Sequence, residues 1–503
     1  MKKIVFSAVW IFLLATIFAE EPQQLTVIFT NDTHGMAWSF DDLNEKGVGG
    51  ISGAKTIIDN IKNDVLMQGG AVLVVSSGNI TMGDPRSNVC LNKPLIKAMN
   101  LVGYDAMSIG NHEFDFGLEA FEEMRGEAAF PFLSSNIYLS GNKKNFATPF
   151  IEKDFSNGLK VALVGITAKE TETISKSGLD GKITLSEPVA LLNKIVPELK
   201  KKNNIVILLS SLGLYDSDDS FDGYAGDRKV AKNVSGIDLI IGSRTKIHLE
   251  KAVMENGVPI VQTEGYGKWI GRYDFYIQNG KIIQESYRLY PVKAKNENQA
   301  VLKMLNDFKC DFPKKVIGEA FINFDGDKRI VRFGESPIGN IIADIIRDRT
   351  KTDISFINSG SVRKGISKGL LTEKDIFSVF PFMDTVIVGK IKGSELRAVL
   401  SKFAETRAGS GGFLQVSGMK IEIEKGTLKK VMVGTSLLDE KAEYTFATNS
   451  FLSGGGDGYN MLKKLKNKRD TGYSVPSIIV EFIKMEKILN KPEPGRIIIK
   501  QAQ

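Results

Sequence analysis

Short runs of aliphatic and β-branched residues recur along the first half of the chain: LTVIFT (Leu25 to Thr30), AVLVVSS (Ala71 to Ser77), KVALVGIT (Lys160 to Thr167), NIVILLSS (Asn204 to Ser211) and IDLIIGS (Ile237 to Ser243). They are continuous rather than alternating, which predicts strands buried on both faces. Between several of them apolar positions return at helical spacing, over Ile51 to Met67 and Pro188 to Lys201, with Pro197 placed to kink the second helix. Strands interleaved with helices predict an α/β layer architecture. In such sheets the functional crevice lies beyond the strand ends, so the polar residues closing each run are the candidates for chemistry.

The pattern changes from about Asn296 to Gly318, where AVLKMLNDFKCDFPKKV predicts a connecting helix over 296–318. Beyond it come a helix from Ile338 to Arg347, a strand DISFINSG, a glycine-rich turn AGSGGF, and a strand FATNSF running into LSGGGDGY. A chain of 503 residues exceeds what one core sustains, since cores stop growing at roughly 250 to 300 residues, so two large domains are expected. The opening MKKIVFSAVWIFLLATIFAEE couples Lys2 and Lys3 to an apolar run ending near Ala19, too short to span a bilayer comfortably. Residues 1–19 read as a cleaved export signal, which places the mature chain in the periplasm or outside the cell without a stable membrane span.

Charge and cysteines alter this picture little. The net charge of +7 is dispersed, as in Lys194 to Lys202, with no basic block interleaved with aromatics, which argues against a nucleic-acid polymer and for a small anionic ligand. Cys90 and Cys310 fall in different parts of the chain and are expected to be unpaired thiols.

The first candidate site follows LTVIFT, where strand alternation puts Asp32 and His34 of NDTH on one side of the chain. Such a pair offers an oxygen and a nitrogen to a divalent metal, though in isolation the stronger reading is a turn cap and a surface histidine. The second is SIGNHEFDFG, whose Asn111, His112 and Asp115 lie in a turn bounded by Gly110 and Gly117. Asn111 offers a carbonyl oxygen, and His112 oriented by Asp115 can donate a proton to a leaving group.

With these strings in place the sequence resembles the 5′-nucleotidases, whose amino-terminal domain is a calcineurin-like metallophosphoesterase. The similarity runs from TNDTHG through GNHEFDFG to INSGSVR, GGFLQVSG and FLSGGGDGY. It implies layered β sheets flanked by helices over residues 22–295, followed by a smaller α/β nucleotide-binding domain over 319–500. It also implies a pair of divalent metals (Zn, Mn, Co or Mg) that clamp a phosphate and activate water.

Carried over position by position, the resemblance matches Asp32, His34, Asn111 and His112, with Asp115 as partner of His112. It fails at three ligands: Asn79 stands for the bridging aspartate, Ser211 for one histidine and Arg244 for another, with Lys246 two residues on. An amide loses the bridging charge, serine is a poor substitute for imidazole, and arginine does not ligate metals. Metal is therefore expected to bind weakly or as a single ion. Arg244 and Lys246 are either tolerated replacements or fixed positive charge standing roughly where metals would be; His248 is expected to face solvent.

The second domain keeps more of the pattern. Resemblance makes Arg332, Asn358 and Arg363 polar contacts to the nucleotide, Phe413 and Phe451 the pair that sandwiches a base, and Asp457 the holder of the ribose hydroxyls. For the two phenylalanines core packing is the competing reading, against which each lies beside a glycine cluster. Three functions follow in order: a nucleoside or nucleotide binder whose two-metal hydrolysis is lost or reduced, a slow single-metal phosphatase, and a scaffold that binds no nucleotide.

Overall fold

The computed structural model describes residues 21–500 except 42–44, 89, 143, 175–178, 180, 215–224, 310–315, 381, 383 and 467. The leader read at residues 1–19 therefore lies outside the described residues. So do Cys310 and the end of the segment read as connector, of which the helix Gln299–Asp307 is seen, capped by the Asn298 side chain.

The chain forms a mixed α/β structure of two lobes. In the first, two sheets lie face to face. One runs in the order Lys281–Pro291, Trp269–Gln278, Gln23–Thr30, Ala71–Ser76, Ala106–Ser108, Phe132–Leu133. The other runs Val253–Glu255, Val258–Val261, Leu239–Ile241, Ile205–Ser211, Lys160–Thr167, Phe150–Asp154. The central strands of both are parallel, with Thr30 beside Ser76 and Thr167 beside Ser211, so all their carboxyl ends reach one edge.

The continuous apolar runs are explained by this double layer. Val27, Leu73 and Val75 of one sheet meet Leu163, Ile207 and Leu209 of the other, while alternate residues face helices. Ile28 and Val74 pack on Ile58 and Ile61 of the helix Ile51–Met67. Val164 and Leu208 pack on Leu192 and Val196 of the helix Pro188–Lys200, which runs through Pro197. Where the strand Lys160–Thr167 crosses Phe132–Leu133 the sheets touch at backbone level: a Cβ added to Gly165 would lie 2.4 Å from the Leu133 carbonyl.

The second lobe is built on the sheet Leu414–Ser417, Ile354–Asn358, Glu443–Asn449, Thr385–Lys392, Lys468–Ser474, with a four-stranded and a three-stranded sheet beside it. Its helix Pro337–Thr350 begins at Ser336, whose side chain accepts from Gly339 N, and buries Ile338, Ile341, Ile342, Ile345 and Ile346, the spacing of one helical stripe. The strand expected to run through FATNSF stops at Asn449, whose side chain caps the short helix Ser450–Ser453. The expectation of two free thiols is corrected: Cys90 is disulfide-bonded, and the chain has only one other cysteine, Cys310. Distance along the chain says nothing of which side chains folding brings together.

The lobes touch through Phe116 and Phe377, 5.7 Å apart between ring centroids, and through Met82, which packs with the apolar core of the second lobe. Among the described residues no helix is long and apolar enough to cross a membrane.

Gly165→Ala should force the two sheets apart and lower stability by about 1 to 3 kcal/mol, as overpacking does. Urea unfolding of both proteins measures this, and an unchanged midpoint would show that the sheets can yield.

Candidate functional site

At the edge where the parallel strands end, four turns meet: residues 31–35, 78–82, 242–246 and 263–266. Eight non-glycine residues there, Asp32, His34, Asn79, Met82, Arg244, Lys246, Glu264 and Tyr266, have φ between 47° and 74°. Left-handed backbone costs on the order of 1 kcal/mol or more per residue, and its concentration here marks a site whose geometry the surroundings enforce. It also corrects the placement expected from strand alternation. The strand ends at Thr30, and Asp32 and His34 are brought together by the turn, with His34 Nε2 3.9 Å from Asp32 Oδ1.

Asp32 is fully buried and its carboxylate accepts from nitrogen on every side. Asn79 Nδ2 donates at 2.9 Å, Asn31 Nδ2 at 2.9 Å, and the backbone N of Arg244 lies 2.9 and 2.8 Å from the two oxygens. Burial raises its pKa above the ordinary value, opposed by Lys246 and these donors.

His34 Nδ1 lies 3.1 and 3.0 Å from the carbonyls of Thr81 and Met82, which can only accept, so Nδ1 carries the proton and Nε2 keeps its lone pair. Burial, then Lys246 and His112, push its pKa well below 6.5, so the ring is neutral. His112 stands edge-on to it at 4.9 Å and donates from Nδ1 to Asp115 at 2.6 Å, the pairing expected from the sequence. Asn111 is buried beside them in the same turn.

Asn79, Ser211 and Arg244, where the resemblance led one to expect other residues, are engaged with protein partners. Asn79 turns its amide N–H to Asp32. Ser211 donates to the carbonyl of Ile109 at 3.1 Å. The Arg244 guanidinium, nearly buried, pairs with Glu170. Lys246 is the cation that enters the cleft. Its Nζ lies 5.7 Å from the Tyr266 ring centre and 3.6 Å from Asp470 Oδ2 of the second lobe. Burial opposes its charge, but Tyr266, Asp470 and Asp32 outweigh it and hold the pKa above the ordinary lysine range. His248, expected at the surface, is half-buried against Trp269, with ring centroids 4.6 Å apart.

Three residues that carry the site do not stand out in the sequence. Glu113, inside GNHEF, accepts from the backbone N of Asn79, Ile80 and Gly110 at 3.0, 2.7 and 2.6 Å and so ties two turns together. Asn31 accepts from Thr263 N at 2.8 Å while donating to Asp32. Both lie within the strings NDTH and GNHEF, and their polarity at a strand end is the available signal. Asp227 gives no such signal. It is buried beside Ser210, which donates to it, and desolvation pushes its pKa from 3.8 to about 8.

In the second lobe, Asn358 Nδ2 donates to Asp457 Oδ2 at 2.8 Å, and Asn358 Oδ1 accepts from Ser361 Oγ and Asn449 Nδ2. The glycine turn before Phe413 closes on the same place: a Cβ on Gly412 would lie 2.9 Å from that of Asp457, and one on Gly456 2.5 Å from the Phe451 ring. Gly409 N donates to the carbonyl of Arg332 at 2.9 Å. Arg332, Asn358, Phe413, Phe451 and Asp457 thus share one group of loops. Phe451 is half-buried and Asp457 exposed, whereas Phe413 is 4% exposed and edge-on to Phe403 at 5.0 Å. Arg363 is exposed and lies over the Phe382 ring at 4.7 Å.

Comparison with known proteins agrees with this arrangement. Residues 25–243 match the family model described as calcineurin-like phosphoesterase and residues 316–464 that described as 5′-nucleotidase, C-terminal domain. A 5′-nucleotidase of Vibrio cholerae is 31% identical over 507 residues, covering 92% of this chain and 91% of the relative. Protein UshA of Escherichia coli is 29% identical over 518 residues, 94% of this chain and 92% of its own. Of solved structures, the NAD nucleotidase of Haemophilus influenzae superposes with a TM-score of 0.68 at 19% identity, over 96% of this chain and all of the other. The 5′-nucleotidase precursor of Thermus thermophilus does so with 0.54 at 25%, over 95% and 100%.

Asp227 has a pH consequence of definite sign. With a folded-state pKa above the unfolded one, the folded protein keeps a proton that the unfolded chain releases from about pH 4 upward. Stability from this group is therefore lost as pH rises toward 8, by at most about 1.4 kcal/mol per unit. Asp227→Asn should flatten the fall in unfolding free energy between pH 5 and 8, and equal slopes in the two proteins would rule out the assignment.

Proposed function

The chain belongs to the 5′-nucleotidase family, and we propose that it is an exported member which binds a nucleoside or nucleotide through its second lobe while two-metal phosphate hydrolysis is lost or strongly reduced. The observation that carries the reading is the state of Asp32. Both of its oxygens are taken by N–H donors, and a protonated lysine stands in the same cleft. A metal pair needs carboxylate oxygens and imidazole nitrogens with free lone pairs. Asn79, Ser211 and Arg244 supply none, and among the described residues no three His, Cys, Asp or Glu side chains gather as a metal-holding group. The residues at the strand tips do not fit a dinuclear centre.

Binding is supported by the loops of the second lobe. Asn358, held by Ser361 and Asn449, fixes the Asp457 carboxylate at an exposed edge, the placement a pair of ribose hydroxyls requires of an acceptor. Phe451 offers a half-buried aromatic face for a base, and Arg332 and Arg363 offer charge to phosphate. Phe413 presents less surface and would act as the packed wall of the slot. The apolar leader at residues 1–19 supports export.

One observation favours a second reading, a slow phosphatase using a single ion. His34 Nε2 keeps a buried lone pair 3.9 Å from Asp32, a two-donor seat for one divalent metal.

Phosphate release from AMP, ATP and UDP-glucose, measured with added Mn, Zn, Co or Mg, should be no faster for the unmodified protein than for Asp32→Ala. Robust turnover abolished by that substitution would establish the enzyme instead. In calorimetry with adenosine, Phe451→Ala should weaken binding by about 1 to 3 kcal/mol, the worth of one stacked base. Equal affinities would remove Phe451 from the site, and no affinity in either protein would leave the family scaffold without a nucleotide.

A further inference from the structure

We infer that Lys246 is the protein's own replacement for the missing metal charge and that its ammonium latches the two lobes together across the strand tips. The inference rests on the reading that no metal pair is held there. Lys246 acts as a single cation serving carboxylates from both walls of the cleft.

The geometry puts Lys246 between those walls. A Cβ on Gly265 would touch both Asp32 Cβ, at 3.3 Å, and Lys246 Cγ, at 3.5 Å, so the lysine stem runs alongside Asp32. Its backbone is held in the left-handed region at φ 51°, within the same strained turn whose Arg244 N–H binds Asp32. The ammonium then crosses to Asp470 on the strand Lys468–Ser474 of the other lobe, and the lysine side chain is 13% exposed.

Asp470 is itself positioned, since Thr385 donates to Oδ2 at 2.7 Å. The neighbouring Asp384 accepts from Ser450 Oγ and Phe451 N, both at 3.1 Å. The end of the sheet that receives Lys246 is also the one from which the Phe451 loop departs, so the latch joins the strand tips of the first lobe to the loops proposed to hold a base.

Charge accounts for the direction of the effect. Removing the ammonium deletes the ion pair with Asp470 and the positive charge alongside Asp32. The packing of Phe116 on Phe377 and of Met82 on the second core remains, but it carries no preference for this charge arrangement. Deleting one member of a partly buried ion pair takes an opposing charge from the other and costs more than removing both.

The test uses the full-length protein and small-angle scattering, with elemental analysis for bound metal. Lys246→Met should increase the radius of gyration, and Lys246→Met combined with Asp470→Asn should return it toward the unmodified value. A packing role for the lysine would not be reversed by that second change. Should Lys246→Met fail to fold, Asp470→Asn carries the test by hydrogen exchange: amides in 79–84 and 385–392 should exchange about tenfold faster, the effect of about 1.4 kcal/mol of lost closure. Unchanged scattering in metal-free Lys246→Met, no reversal in the double variant, or unchanged exchange in Asp470→Asn would each overturn the latch alone. Two equivalents of tightly held metal in the unmodified protein would instead overturn the metal-loss reading, and the latch with it.

Discussion

A carboxylate carried to the meeting point of four turns, where no water reaches it, has to be compensated by whatever the protein places around it. Asp32 is that carboxylate, and its compensation organises the first lobe's working edge. Amide N–H groups from three turns converge on its two oxygens, and Lys246 supplies formal charge alongside. Holding donors at those angles requires left-handed backbone at Asp32, Asn79, Arg244 and Lys246, and that strain persists because the parallel strands beneath bring the turns to one edge. Backbone that is costly in isolation is sustained by a rigid double sheet.

The same electrostatics govern the polar groups around Asp32. A site made for divalent cations presents anionic oxygens and neutral imidazoles to an open centre. Here the imidazoles of His34 and His112 are oriented by hydrogen bonds on Nδ1, and Glu113 ties the turns, while Asn79, Ser211 and Arg244 present an amide, a hydroxyl and a guanidinium. Amide, hydroxyl and guanidinium groups each found a protein partner, Asp32, the Ile109 carbonyl and Glu170 respectively. Buried polar groups are seldom left unpaired. Asn79, Ser211 and Arg244 are thus packed into a polar centre by bonds within the protein.

Much of this is legible along the chain. The double-sided burial of the first-lobe strands follows from uninterrupted aliphatic runs, and the stripe of Ile338, Ile341, Ile342, Ile345 and Ile346 from helical spacing after a Ser-Pro start. Partnerships between distant residues are not legible. Asp32 and His34 are neighbours, as strand alternation predicts, but a turn makes them so, because β geometry ends two residues before Asp32. The bonded state of Cys90 leaves no trace in the sequence, since a cysteine's spacing along the chain does not report its pairing.

What the sequence determined by itself is therefore local and chemical: which segments are strands or helices, that the chain makes two α/β lobes of a recognisable family, and which polar residues close the strand runs. Only the tertiary structure decided where those side chains went. Arg244 turns to Glu170, while Lys246 enters the cleft and reaches Asp470 of the other lobe. Both are long cations two residues apart in one turn. Their destinations differ because electrostatic partners are chosen by distance and burial in three dimensions, quantities that residue order does not carry.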